Sequence, residues 1–214
     1  MLPARPDQRW LEVACGTGIV SRALAPRVRE VVGCDITPAM LSVARREGAS
    51  LPNVRYLEGD ATALPFPEGE FDGAVTRFSL HHIPFPERVL GEMARAVRPG
   101  GWVAVGDHLG SPRLDAFNRH QSIERLRDPS HWANLTSAWL LRRARSAGLR
   151  LVGHEESDLV MSFDEWLGRG SGGPENAGLI ESAIAELAGD PYCALLPDRM
   201  LRFRMGRFIW RKPA

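Results

Sequence analysis

Two glycines and two acids carry the first chemical signal in this sequence. Gly16 and Gly18 lie in "LEVACGTG", after a short apolar run and before a helical pattern. Asp35 ends a second apolar run, "EVVGCD", and Asp60 ends a third segment, "NVRYLEGD". Glycines let a backbone pass close under a ligand, and a helix starting there favours a carboxylate. An acid ending the second strand can accept both hydroxyls of a ribose. Asp60 can accept from an adenine amino group while the next amide, Ala61, donates to a ring nitrogen. These positions suit an adenosine with a zwitterionic tail.

Other nucleotides fit less well. A dinucleotide loop needs a third glycine, and Ile19, Val20 and Ser21 follow Gly18 instead. A triphosphate loop needs a lysine, and the first lysine of the chain is Lys212.

A second group of residues could handle protons. His81 and His82 follow a fourth apolar segment, and His108 follows a fifth. One of them could act as a general base near neutral pH, or each could be a packing or capping histidine. Arg77 could orient an anionic or carbonyl substrate, or form a structural ion pair. The three histidines lack a supporting carboxylate pattern beyond Asp107, so no metal site is expected. Phe163, Trp132, Trp139 and Trp166 could sandwich a flat substrate or pack a core. Cys15 and Cys34 read as small buried fillers. The basic C-terminus, Arg202 to Lys212, reads as a solvated strand face.

These residues need a frame that brings them together. Strands are expected at 10–14, 30–35, 53–60, 71–78 and 102–108, with helices at 19–28, 37–48 and 86–101 between them. Thr37 is the expected N-cap of the second helix and Gly48 its stop. The strands are apolar on both faces, so the sheet is parallel and covered on both sides, a doubly wound α/β layout. Ligands of such sheets sit beyond the carboxyl ends of the strands, where the acids and glycines fall. After residue 108 the expected elements are a helix at 137–148, a strand at 149–157, an apolar helix around 177–188 and a last strand at 200–210. A connection as long as 158–199 implies a helical cap.

The 214 residues suggest one domain, with 44% apolar and 25% charged residues, as in soluble globular proteins. A net charge of +1 gives no drive toward nucleic acid or anionic membrane. The three cysteines have no CxxC spacing, which fits a reducing cytoplasm. The sequence has neither a signal-peptide core nor an apolar run long enough to insert in a membrane.

Four segments in order, "LEVACGTG", "GCDITPAML", "GDATALPFPEGEFD" and "RAVRPGG", resemble the class I S-adenosylmethionine-dependent methyltransferases. The stretch "VTRFSLHHIPFPERVLGEMARAVRPGG" is similar to their small-molecule branch, which includes the ubiquinone/menaquinone C-methyltransferases. The resemblance covers residues 10–108 well and 136–157 loosely. It implies a seven-stranded, mostly parallel Rossmann-like sheet with an antiparallel last strand and a helical cap between the last two strands. It implies a single domain over 1–214, a cofactor core at 9–108 and substrate caps at 109–135 and 158–199.

The cofactor implied is S-adenosylmethionine, with S-adenosylhomocysteine as product. Glu12 would steady the glycine loop and the ammonium end. Ala14, Cys15, Gly16 and Gly18 would line the methionine moiety. Asp35 would hold the ribose, Ile36 and Met40 would flank the adenine, and Asp60 and Ala61 would read its edge. Carbonyls at Thr76 and Arg77 would accept from the ammonium. The acceptor implied is a small molecule, because "TRFSLHH" lacks the Asn-Pro-Pro signature of nucleic-acid amino-methylation.

Two departures stand out: Ala14 replaces the commonest glycine, and about nine residues precede the first strand where relatives carry a helical lid. The chain then uses its later segments as the cap, leaves the site open, or starts late. Three rivals share some of these features: a non-methylating cyclisation catalyst, a sensor, and a nicotinamide oxidoreductase. The last needs the missing glycine and a hydride-site tyrosine or lysine, and the tyrosines are Tyr56 and Tyr192 alone.

Overall fold

A computed structural model of the protein describes residues 2–172, 174–187 and 189–214. Its first half alternates as expected: β1 (Arg9–Val13), α1 (Ile19–Leu24), β2 (Glu30–Asp35), α2 (Pro38–Glu47), β3 (Val54–Glu58), β4 (Phe71–Arg77), α3 (Pro86–Ala96) and β5 (Val97–His108). The second half adds α4 (Leu114–Arg127), α5 (Ser137–Ser146), β6 (Arg150–Ser162), α6 (Phe163–Gly168), α7 (Ala177–Ala185), β7 (Cys193–Leu196) and β8 (Met200–Arg211).

The sheet order is β3-β2-β1-β4-β5-β8-β6, with β7 on the flank of β8. β1 to β5 run parallel, and β8 runs antiparallel between β5 and β6. The order reverses between β1 and β4. That switch point opens a crevice at the carboxyl ends of both strands.

Strand alternation builds two faces. Leu11, Val32, Ala74 and Val103 join α3 and α5 in one core. Their neighbours Trp10, Val31, Val75 and Ala104 face α1 in another. A third cluster lies apart: Ala116 and Ile123 of α4, Phe163 and Trp166 of α6, Ile180 and Ile184 of α7, Cys193 of β7, and Leu201 and Phe203 of β8. β8 therefore serves two cores, with Phe208 and Trp210 in the main one and Leu201 and Phe203 in the other.

Several sequence boundaries shift. The helix expected at 86–101 ends at Ala96, because Val97 already pairs with Phe71. The Pro-Gly-Gly that follows is an irregularity within β5. The strand expected at 149–157 runs on to Ser162, and β7 adds a short strand to the expected cap segment. The expected helix 177–188 ends at Ala185, and Ala188 lies outside the described residues. Thr37 occupies the N-cap of α2, but its side chain makes no capping bond.

Candidate functional site

The loop after β1 is left-handed at three positions: Ala14 (φ 51°), Gly16 (φ 52°) and Gly18 (φ 76°). Ala14 holds the conformation glycine would hold at less cost. A side chain at Gly18 would run into the Tyr56 hydroxyl, and one at Gly33 would stand 2.6 Å from the Tyr56 ring. Tyr56 thus packs across β2 onto the start of α1.

Two buried carboxylates brace this loop. Ser21 donates to Glu12 Oε2 from its amide at 2.6 Å and its hydroxyl at 2.5 Å, which ties the first turn of α1 to β1. Burial pushes the Glu12 carboxyl up to about 7, against the hydrogen bonds from Ser21. Asp35 accepts from Gly16 N at 2.6 Å and from Thr37 N at 2.9 Å, one to each oxygen. Each oxygen keeps a second lone pair free for a further donor.

The other cofactor candidates surround this brace. Cys15 and Cys34 are buried, and desolvation pushes the Cys34 thiol up to about 12 and Cys15 higher still, so neither is a nucleophile. Ile36 and Met40 are 64% and 45% exposed, an unusual state for apolar side chains beside a cleft. Asp60 is exposed, and its Oδ1 accepts from the amide and hydroxyl of Thr62, a local turn in the loop after β3. Its Oδ2 stays available. The Thr76 hydroxyl donates to Val13 O at 2.7 Å and contacts Ser79 Oγ, locking the ends of β1 and β4 together. The Arg77 guanidinium forms no salt bridge among the described residues. It lies 4.1 Å over the Phe78 ring and lines a cavity of about 780 Å³ floored by Val75, Gly106 and Gly153.

The candidate histidines meet where β4 and β5 end. His81 Nδ1 lies 2.5 Å from Asp107 Oδ1. Asp107 also accepts from His108 N at 2.8 Å and Leu80 N at 2.9 Å. Burial opposes charge on both partners. Their mutual attraction and hydrogen bond outweigh it, raising His81 and lowering Asp107 from their ordinary values. Asp107 engages Nδ1, and no hydrogen bond among the described residues engages Nε2. His108 stacks parallel on His81 at 5.3 Å, and burial with the His81 charge pushes it down to about 4.

Sequence reasoning did not weigh the α4 side of this cluster. His120, Gln121, Glu124 and Arg127 form a buried polar face of α4, and His131 and Asn134 follow in the next loop. The signal was their spacing: 120, 124 and 127 recur at helical intervals, but as polar residues they read as solvated. Of the aromatic candidates, Phe163 and Trp166 are core. Trp132 and Trp139 line a cleft of about 370 Å³ with Phe85 and Phe117. The Trp132 amide donates to His81 O at 2.7 Å, so this cleft adjoins the histidines. Among the described residues no group of three or more His, Cys, Asp or Glu could hold a metal ion, and no helix is long and apolar enough to cross a membrane.

A parallel sheet with this switch point, glycine loop and strand-end acids defines the Rossmann-like methyltransferase class. Residues 11–105 match the family described as a methyltransferase domain, and over that stretch the chain belongs to it. The chain is 31% identical over 170 residues to the uncharacterized methyltransferase YcgJ of Bacillus subtilis, a match covering 78% of this chain and 66% of that one. It is 43% identical over 112 residues to the demethylmenaquinone methyltransferase of Thermus thermophilus, covering 51% of each. The chain thus spans about half to two thirds of the length of these relatives. The crystal structure of Bacillus subtilis YcgJ shares the fold at a TM-score of 0.91 and 24% identity, over 99% of this chain and 94% of that one.

Proposed function

We propose that this protein transfers a methyl group from S-adenosylmethionine to a small-molecule acceptor held beside His81. The observation that carries this reading is Asp35. Its buried carboxylate, one strand away from the switch point, bridges the glycine loop and the start of α2, with a lone pair on each oxygen left for a ribose diol. The surroundings fit the rest of the cofactor. Ile36 and Met40 offer an exposed apolar ledge for a purine, and space lies open beside the Gly16 Cα. Glu12 backs the loop with a carboxylate for an ammonium group.

The cofactor supplies a methyl group on a sulfonium, already activated for displacement, and leaves as S-adenosylhomocysteine. What remains for the chain is alignment and exclusion of water. The Thr76–Val13 bond fixes the floor of the crevice. His81, oriented by Asp107, takes a proton from the acceptor at Nε2, and Arg77 steadies an anionic or carbonyl group. The aromatic cleft of Phe85, Trp132 and Trp139 suits a small flat acceptor. Arg204 and Arg207 are engaged by Glu156, Asp158 and Glu155, which supports a small acceptor over a nucleic acid. Three buried free thiols support a reducing, cytoplasmic location.

A second reading keeps the cofactor but not the transfer. The fold is shared at a TM-score of 0.69 and 21% identity with SpnF, described as a [4+2]-cyclase. In that reading the bound cofactor is never consumed.

Calorimetry with S-adenosylhomocysteine tests the proposal. The protein is expected to bind it, and Asp35→Ala to lose about 10- to 100-fold in affinity while staying folded. Unchanged affinity in a folded Asp35→Ala protein would sink the assignment. Candidate acceptors that react without stoichiometric formation of S-adenosylhomocysteine would select the cyclisation reading.

A further inference from the structure

Five of the six histidines gather around one point. His82, His108 and His131 lie 4.2, 5.3 and 5.8 Å from His81, ring centre to ring centre, and His120 lies beyond Phe203. Imidazolium ions at such spacing repel one another in a poorly solvated site, so the cluster holds few protons at once. Which ring holds one is a matter of hydrogen-bond partners.

Those partners fix the tautomers. Gln121 Oε1 accepts from Asn134 N at 2.8 Å, and a backbone amide can only donate. Gln121 Nε2 donates to Asn134 O at 3.3 Å, which keeps the amide in that sense. His131 Nε2, 2.7 Å from the same Oε1, must therefore carry a proton. Its buried Nδ1 has no partner and needs no proton. His82 follows the same logic. The Ser130 hydroxyl donates to Asp128 Oδ1 at 2.7 Å, so it accepts from His82 Nδ1 at 3.0 Å. A neutral oxygen thus faces each of these imidazoles, while a carboxylate faces His81.

We propose that Gln121 and Ser130 are positioning residues that hold His131 and His82 neutral, leaving His81 as the one imidazole that takes the acceptor's proton. The inference rests on the reading of His81 as the base. Burial supports it by pushing His131 down to about 3 and lowering His82. The groups that face His81 are Asp107 and His108 from β5, His82 from its own turn, His131 from the loop after α4, and Glu124 and Arg127 from α4. Of these, only His82 and His131 have a neutral partner whose replacement by a carboxylate would change which ring is charged.

The test places that carboxylate. Histidine ring titrations are followed by NMR in the full chain with S-adenosylhomocysteine bound, comparing wild type, Gln121→Glu and Ser130→Asp. Gln121→Glu is expected to raise the midpoint of His131, and Ser130→Asp that of His82. The imidazolium that each variant creates, 5.8 or 4.2 Å from His81, is expected to lower the His81 midpoint. Ser130 is exposed, so Ser130→Asp carries the test if Gln121→Glu fails to fold. A His81 midpoint unmoved in a folded variant overturns the proposal. Failure of the base reading looks different: the midpoints shift as stated in Gln121→Glu and Ser130→Asp, yet a separate His81→Gln protein keeps full acceptor-dependent turnover.

Discussion

At the scale of single residues, the site depends on carboxylates whose donors are already in place. Asp107 takes three hydrogen bonds in a buried position, and in the proposed mechanism the one from His81 orients the base. Because Asp107 raises the pKa of His81, the free base becomes more populated as pH rises. Turnover that depends on it should climb into the alkaline range. Asp107→Asn removes the charge but keeps the shape. The rising limb should then move to lower pH, and the plateau should fall about 10²-fold or more as the imidazole loses its orienting partner. A profile that keeps both its midpoint and its height would show that His81 moves no proton. The pair was only half legible in the sequence. His81 stood out by type, whereas Asp107 looked like an ordinary strand-end acid until β5 placed it under the 80–82 turn.

At the scale of elements, β1 to β5 and their helices were legible because their apolar residues recur at the strand and helix periods and glycine or proline ends them. The cofactor loop is the product of that order. Gly18 shows how tightly: its φ of 76° is unfavourable for other residues, and the Tyr56 ring of β3 fills the space a side chain would need. Gly18→Ala should therefore tilt the first turn of α1, pull Ser21 from Glu12, and cost about 1–3 kcal/mol of stability. Cofactor affinity should fall at least about 10-fold, which is worth about 1.4 kcal/mol. Gly18→Ala in a Tyr56→Leu background should recover part of both losses, whereas equal losses in the two backgrounds would put the strain in the backbone alone. The later elements were less legible for a different reason. α4 buries a polar face, His120, Gln121, Glu124 and Arg127, so its pattern is that of a solvated helix turned inside out. Such a face is costly unless its groups find partners, and here His120 and Gln121 find theirs in the loop that follows α4, while Glu124 lies against His120 and Arg127 of its own helix, pairings that no strand or helix period announces.

At the scale of the whole molecule, the two cores share β8, and the histidine cluster sits where they meet, so its titration bears on the stability of both. His108 and His131 are neutral in the folded protein, at about 4 and about 3, against an ordinary imidazole value of about 6.5. The unfolded chain binds their protons first, so their contribution is whole above about pH 6.5 and drains away as pH falls toward the folded values. Asp107 and Glu124, lowered by His81, His120 and Arg127 against the cost of burial, lose their contribution further down the same slope. His81 and His120 have the opposite sign. Raised in the fold, their contribution is complete below about pH 6.5 and cannot offset the acid losses. Stability should thus fall by roughly 4 kcal/mol between pH 6.5 and 4.5, or several degrees in Tm. His131→Asn removes one of the two neutral imidazoles and should make that decline clearly shallower when Tm is followed by calorimetry across the range. An unchanged slope in His131→Asn would mean that the acid sensitivity arises elsewhere and that this ring is not held neutral between the two cores.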